Sequence, residues 1–173
     1  VTLMEISPLA YFFVSRLDTA VDKQLAELGR DDLYGKAAVD NARVAYVRFG
    51  ELFSGDDWDA LAAAGAQVQR VLWASTGTKN PAYSDTLYVD ELIGPDTVNT
   101  VPPKTLDAFF DHGTVARTVD VDLDGARERL ATLATLAIDL DGITDDLQKA
   151  GVDSFASAFQ SLLGSIEAKR GEI

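Results

Sequence analysis

Apolar runs without helical spacing alternate along this chain with stretches whose apolar residues recur every three or four positions. Leu9-Ala10-Tyr11-Phe12-Phe13-Val14 is a continuous aromatic and aliphatic run, the pattern of a strand buried on both faces of a parallel sheet. Ser15, Arg16 and Asp18 follow at its C-terminal end. A helix is predicted from about Thr19, with Thr19 and Asp22 spaced as a capping box. Val21, Leu25 and Leu28 share one of its faces, and Gly29 is its stop. A second helix carries Ala38, Ala42, Ala45, Tyr46, Phe49 and Phe53 up to Ser54-Gly55. A short one runs from Asp57 to about Ala64 and ends at Gly65.

Gln69 to Ser75 is the second predicted strand, built on Val71-Leu72-Trp73-Ala74. Asn80-Pro81 is then expected to open a helix, because Asn is a favoured N-cap and proline suits the first helical position. Gly94-Pro95 closes it, Thr97 to Thr100 forms a third short strand, and a helix follows from Lys104 with Leu106, Phe109 and Phe110. Strands separated by helical patterns imply βαβ units. After Gly113, Thr118 to Val121 alternates briefly. A long amphipathic helix then carries Ala126, Leu130, Leu133, Ala134 and Ala137. Leu147 and Ala150 mark a shorter helix stopped by Gly151, and Phe155, Phe159, Leu162, Leu163 and Ile166 mark a last one. The simplest organisation is one domain over residues 1–173, with the helical tail packed as a cap over the sheet.

Composition narrows the chemistry. With 173 residues, 47% of them hydrophobic, the chain is long enough to bury a sizeable core. It contains no cysteine, which removes disulfides, thiol nucleophiles and Cys-based zinc sites. The one histidine, His112, sits where a helix is expected to end, a position that favours a cation for structural reasons. A net charge of −13 without a basic run argues against nucleic acid. No stretch is long enough to span a bilayer, and Glu5 stands where a signal peptide needs a basic lead. A cytoplasmic location is therefore expected. Asp139, Asp141, Asp145 and Asp146 lack EF-hand spacing and read as a solvated acidic surface.

The segment from Trp73 to Pro81 carries the most chemical information. An apolar strand delivers Ser75, Thr76, Gly77, Thr78 and Lys79 to the expected helix start at Asn80-Pro81. Backbone N–H groups, a helix dipole and one ammonium would converge there on a phosphate. An ordinary strand-to-helix loop is the alternative.

Four segments in this order resemble transaldolase, in particular its actinobacterial-type branch. They are Phe12 to Asp18, Gly35-Lys36-Ala37-Ala38, Leu72 to Tyr83 and Thr97 to Pro102; Gly151 to Phe155 is similar as well. The resemblance runs from about Leu9 onward. It implies an incomplete (β/α)8 barrel whose strands correspond to the sixth, seventh and eighth. The implied activity is transfer of a dihydroxyacetone unit between sugar phosphates in the pentose phosphate pathway, through a lysine Schiff base and without metal or organic cofactor.

On the resemblance, Arg16 matches an arginine that binds substrate phosphate, a role suited to its two-pronged guanidinium. A salt bridge to Asp18 or Asp22 is its alternative role. Phe13 matches a pocket-wall phenylalanine, although core packing accounts for it equally well. Ser75 and Lys79 fall in a turn with further phosphate contacts, Lys79 being alternatively a plain surface lysine. Asn99 falls at the mouth of the last strand. Tyr11 departs from the pattern, which has a serine there, and Val101 stands where the branch commonly has methionine, a tolerable apolar change.

The resemblance places the Schiff-base lysine and its carboxylates on strands upstream of Leu9. Neither Lys36 nor Lys79 stands in for that lysine, so no catalytic residue is assigned. Val1 to Pro8 leads almost directly into the first strand and leaves no room for another strand and helix. The expectation is a C-terminal transaldolase part that binds sugar phosphates but is inactive alone. It would associate, be partly disordered or depend on a missing N-terminal half, because open sheet edges need covering. A split enzyme and a non-catalytic sugar-phosphate-binding module are the rival readings.

Overall fold

The computed structural model describes residues 8–171; the expectation about the chain's first seven residues lies outside them. The chain divides into two compact units, one reaching to Ile138 and the other starting at Asp139.

The first unit is α/β. Strands β1 (Leu9–Phe13), β2 (Arg70–Ala74) and β3 (Thr97–Asn99) form a parallel sheet in that order. Leu9 pairs with Arg70 and Phe13 with Ala74, while Val71 pairs with Thr97 and Trp73 with Asn99. Between the strands lie helices α1 (Val14–Glu27), α2 (Ala37–Leu52), α3 (Asp56–Ala63) and the four-residue α4 (Leu87–Asp90). After the sheet come α5 (Pro103–His112) and α6 (Leu123–Thr135).

The central strand explains the core. Val71, Leu72, Trp73 and Ala74 are all buried, because β2 has a strand on each side and α2 packs against it. Trp73 is wholly inside, where its indole N–H donates to the Leu92 carbonyl at 3.0 Å. Val14, Leu17, Val21 and Leu25 recur at helical spacing along α1 and are buried, each contributing roughly 1.5–3 kcal/mol by its removal from water. Helix α6 packs on α2, and a bidentate pair joins them: Arg129 donates two hydrogen bonds of 2.7 Å to the buried Asp40 carboxylate.

Four expectations are corrected. The first apolar run is not buried on both faces: Tyr11 is 59% and Phe13 38% exposed, since β1 is an outer strand among the described residues. Helix α1 starts at Val14 instead of Thr19, whose hydroxyl donates back to the Ser15 carbonyl within the helix rather than capping it. No helix starts at Asn80-Pro81. The Asn80 side chain accepts the Ala82 N–H at 3.0 Å in a local turn, and α4 begins only at Leu87. In the second unit Gly151 stops nothing, because α7 runs unbroken from Leu140 to Arg170. Its N-terminus is capped by Asp139, which accepts the Gly142 N–H at 3.0 Å.

The expected ends of the other helices fall close to where they form. Gly29, Gly55 and Gly65 all adopt positive φ around them. His112 ends α5, and its ring bridges Asp85 at 2.8 Å and Asp111 at 3.1 Å on the surface. Those two carboxylates, Asp85 first, raise its pKa. No helix among the described residues is long and apolar enough to cross a membrane.

Candidate functional site

Parallel pairing puts the C-terminal ends of the three strands side by side, and the residues just beyond them meet. The Ser15 N–H donates to the Ser75 carbonyl at 3.1 Å, and their hydroxyls lie 2.8 Å apart. The buried Thr76 hydroxyl donates to Asn99 Oδ1 at 2.8 Å. Thus Ser75, beyond β2, is tied to the start of α1, and Thr76 is tied to the end of β3. Ser75 takes φ 57° to make this turn, a conformation that costs a non-glycine residue roughly 1–2 kcal/mol.

Arg16 stands one position past Ser15 and is exposed. Its guanidinium carbon lies 5.0 Å from the centre of the Phe13 ring, a cation–π arrangement that orients the group without using its donors. The alternative role foreseen for Arg16, an ion pair with Asp18 or Asp22, is not formed. Both carboxylates are engaged elsewhere. Asp18 is buried and accepts the Ala38 N–H and the Tyr88 hydroxyl, each at 2.7 Å. Asp22 accepts the Tyr83 hydroxyl at 2.5 Å and the Gly35 N–H at 3.2 Å.

The electrostatics follow from this packing. Burial pushes the Asp18 carboxyl up to about 6, against the opposing pull of the Ala38 and Tyr88 hydrogen bonds. Desolvation raises both phenols, Tyr83 and Tyr88, well above the ordinary range, with the neighbouring carboxylates adding to it. They remain neutral donors at any physiological pH.

Lys79 is exposed on the loop between β2 and α4. The helix dipole expected beside it does not exist, because Asn80-Pro81 makes a turn. The polar groups beyond the strands are then the exposed cations Arg16 and Lys79 and the hydroxyl and amide groups of Ser15, Ser75, Thr76 and Asn99. Gly77 lets the loop pass close to α5: a Cβ there would stand 3.3 Å from Thr105 Oγ1 and 3.4 Å from the Pro102 ring. Lys36 immediately precedes α2 and is exposed. The Tyr11 side chain points largely to solvent.

The sequence-chosen residues Phe13, Arg16, Ser75 and Asn99 thus fall around one end of the sheet. Ser15 and Thr76, which link them, were visible in the motifs as hydroxyl residues just past apolar runs. Nothing in the local pattern marked Tyr83 and Tyr88 as partners of Asp22 and Asp18, because those pairs are 61 and 70 residues apart.

The chain's resemblance to known proteins extends over most of its length. A family model described as Transaldolase/Fructose-6-phosphate aldolase matches residues 7–166. The transaldolase of Arthrobacter sp. (strain FB24) is 48% identical over 169 residues, covering 95% of this chain and 46% of the relative. Transaldolase 1 of Streptomyces avermitilis is 49% identical over 170 residues, covering 96% and 45%. The transaldolase of Mycolicibacterium smegmatis is 46% identical over 171 residues, covering 96% and 46%. The chain spans about half the length of the curated relatives it matches.

Proposed function

The chain belongs to the transaldolase/fructose-6-phosphate aldolase family, and from that premise we propose that it supplies the phosphate-binding half of a transaldolase site. In this reading β1, β2 and β3 are the sixth to eighth strands of a (β/α)8 barrel. The phosphate of a ketose phosphate docks at the end of the sheet where the loops after the seventh and eighth strands of such barrels gather. Arg16 grips two phosphate oxygens, Lys79 adds a second charge, and Ser75 and Asn99 complete the polar wall. Phe13 holds the guanidinium and closes one side of the pocket.

In this reading neither Lys36 nor Lys79 takes the part of the family's Schiff-base lysine. Such a lysine needs a depressed pKa and a carboxylate beside it to move protons, and neither Lys36 nor Lys79 has such a carboxylate among its described contacts. The residues therefore bind sugar phosphates in the cytoplasm, without metal or organic cofactor, and carry no transfer by themselves. The remaining half of the barrel brings the nucleophile. The single observation that carries this reading is the exposed Arg16 guanidinium, laid over the Phe13 ring, free of any ion pair among the described residues and borne by the residue after Ser15 of the Ser15–Ser75 pair. The 59% exposure of Tyr11 on a one-sided strand favours covering by another polypeptide half over a self-sufficient binding module.

Borohydride trapping with fructose 6-phosphate, read by intact mass on a sample shown to be folded by circular dichroism, tests it. The expected result is no adduct. An adduct on a defined lysine, or steady transaldolase turnover by the purified chain, would refute the proposal.

A further inference from the structure

Ser15, Asp18 and Asp22 lie three and four residues apart on α1 and so share one face of the helix. Ser15 is buried, Asp18 is buried and Asp22 is half-buried. A buried polar stripe on a helix needs partners, and every partner here comes from the loop after β2, from α4, or from the turn before α2 and its first residues. Ser15 holds Ser75 by backbone and side chain. Asp22 holds Tyr83 through its hydroxyl and Gly35 through its N–H. Asp18 holds Tyr88, at the start of α4, and Ala38, in the first turn of α2.

The two outer members of the stripe are about 10 Å apart, two helical turns. Between Ser75 and Tyr83, the loop carrying Lys79 therefore starts and finishes on one helix, and that helix also presents Arg16. The Tyr83 ring is further seated on Gly35, where an added Cβ would lie 3.0 Å from the ring. The fixed ends make the spacing between the Lys79 and Arg16 segments a property of α1.

We propose that Asp22, with Tyr83, is a positioning pair for anion binding: it pins the far end of the Ser75–Tyr83 loop to the helix that bears Arg16 and so sets where Lys79 meets the bound phosphate. This rests on the phosphate-binding reading above. A loop fixed at one end only would have to be ordered at binding, and that ordering would weaken the affinity. Removing one hydroxyl should then act on a ligand that the hydroxyl never touches.

The test uses the whole chain and two probes, inorganic phosphate and fructose 6-phosphate, titrated by NMR at pH 7.5. Tyr83→Phe keeps the ring on Gly35 and deletes the hydroxyl. It should weaken binding of both probes about five- to tenfold, the equivalent of one hydrogen bond. Amide 15N relaxation should show residues 76–83 loosened before any ligand is added. Asp22→Asn, which retains an acceptor for the phenol, should lie between Tyr83→Phe and the unaltered chain, and the double variant should be no worse than Tyr83→Phe. Arg16→Ala should lose binding without loosening the loop. Unchanged affinity in Tyr83→Phe overturns the proposal, and so does an unchanged loop. If the unaltered chain binds neither probe, the phosphate reading fails, and the loop relaxation alone then decides the pinning. Should Tyr83→Phe not fold, the same two readouts on Asp22→Asn decide it.

Discussion

The Tyr88 hydroxyl donates to Asp18 Oδ2 at 2.7 Å inside the protein, joining α4 to α1. The bond partly compensates a carboxyl whose burial lifts it to about 6 from an ordinary value of 3.8. Between those values the folded chain binds more protons than the unfolded chain, so this group's contribution to stability falls as pH rises through the window. Asp18→Asn removes the titration. The urea midpoint of the unaltered chain should therefore decline relative to the variant from pH 4 to pH 6, then hold a constant difference. A difference independent of pH across that range would remove the assignment to Asp18.

Arg129 is the only cation on Asp40 among the described contacts. Taking it away leaves a buried carboxylate unpaired between α2 and α6. Arg129→Met should cost about 3–5 kcal/mol, the range for one-sided loss of a buried ion pair. Asp40→Asn, which leaves the arginine able to reach Asp122 at 3.0 Å, should cost less. Equilibrium unfolding in urea measures both.

Gly35 and Gly29 have nearly the same backbone, at φ +66° and +65°. Their surroundings differ: a Cβ on Gly29 meets nothing within 4 Å, whereas one on Gly35 meets the Tyr83 ring at 3.0 Å. Gly29→Ala should cost only the backbone term, about 1–2 kcal/mol. Gly35→Ala should cost more than that and also shift the NMR signals of Tyr83. Equal thermal midpoints for the two variants would count against the seating of the ring.

Arg16→Ala should leave stability within about 0.5 kcal/mol, as for most exposed substitutions, because the side chain's described contact is the Phe13 ring. Calorimetry with fructose 6-phosphate should nevertheless show binding abolished. Arg16→Lys should recover only part of it, since an ammonium lacks the paired donors.

Strands and most helix ends are legible in the amino-acid pattern, for identifiable reasons. Val71 to Ala74 is a short unbroken apolar run, and only a central strand uses every one of those side chains. The run at Leu9 looks the same but belongs to an outer strand. Apolarity alone does not tell a strand with a neighbour on each side from one at the edge of the sheet. Asn80-Pro81 misleads because asparagine and proline serve turns as well as helix starts, and an Asn80 side-chain bond makes the choice. Gly151 misleads because one glycine costs a helix only about 1 kcal/mol, too little to end α7. At the site, hydroxyl and cationic residues just past the strands are readable. The Tyr83–Asp22 and Tyr88–Asp18 pairs are not, since pairing across so much chain leaves no periodic trace.

The sheet's parallel order also has a kinetic meaning. Joining β2 to β3 closes a loop of about 25 residues, whereas joining β1 to β2 closes one of about 60, and the longer closure costs more entropy. High separation of partners slows folding. During synthesis β1 therefore cannot join β2 until the chain has grown past Ala74 and that strand has emerged.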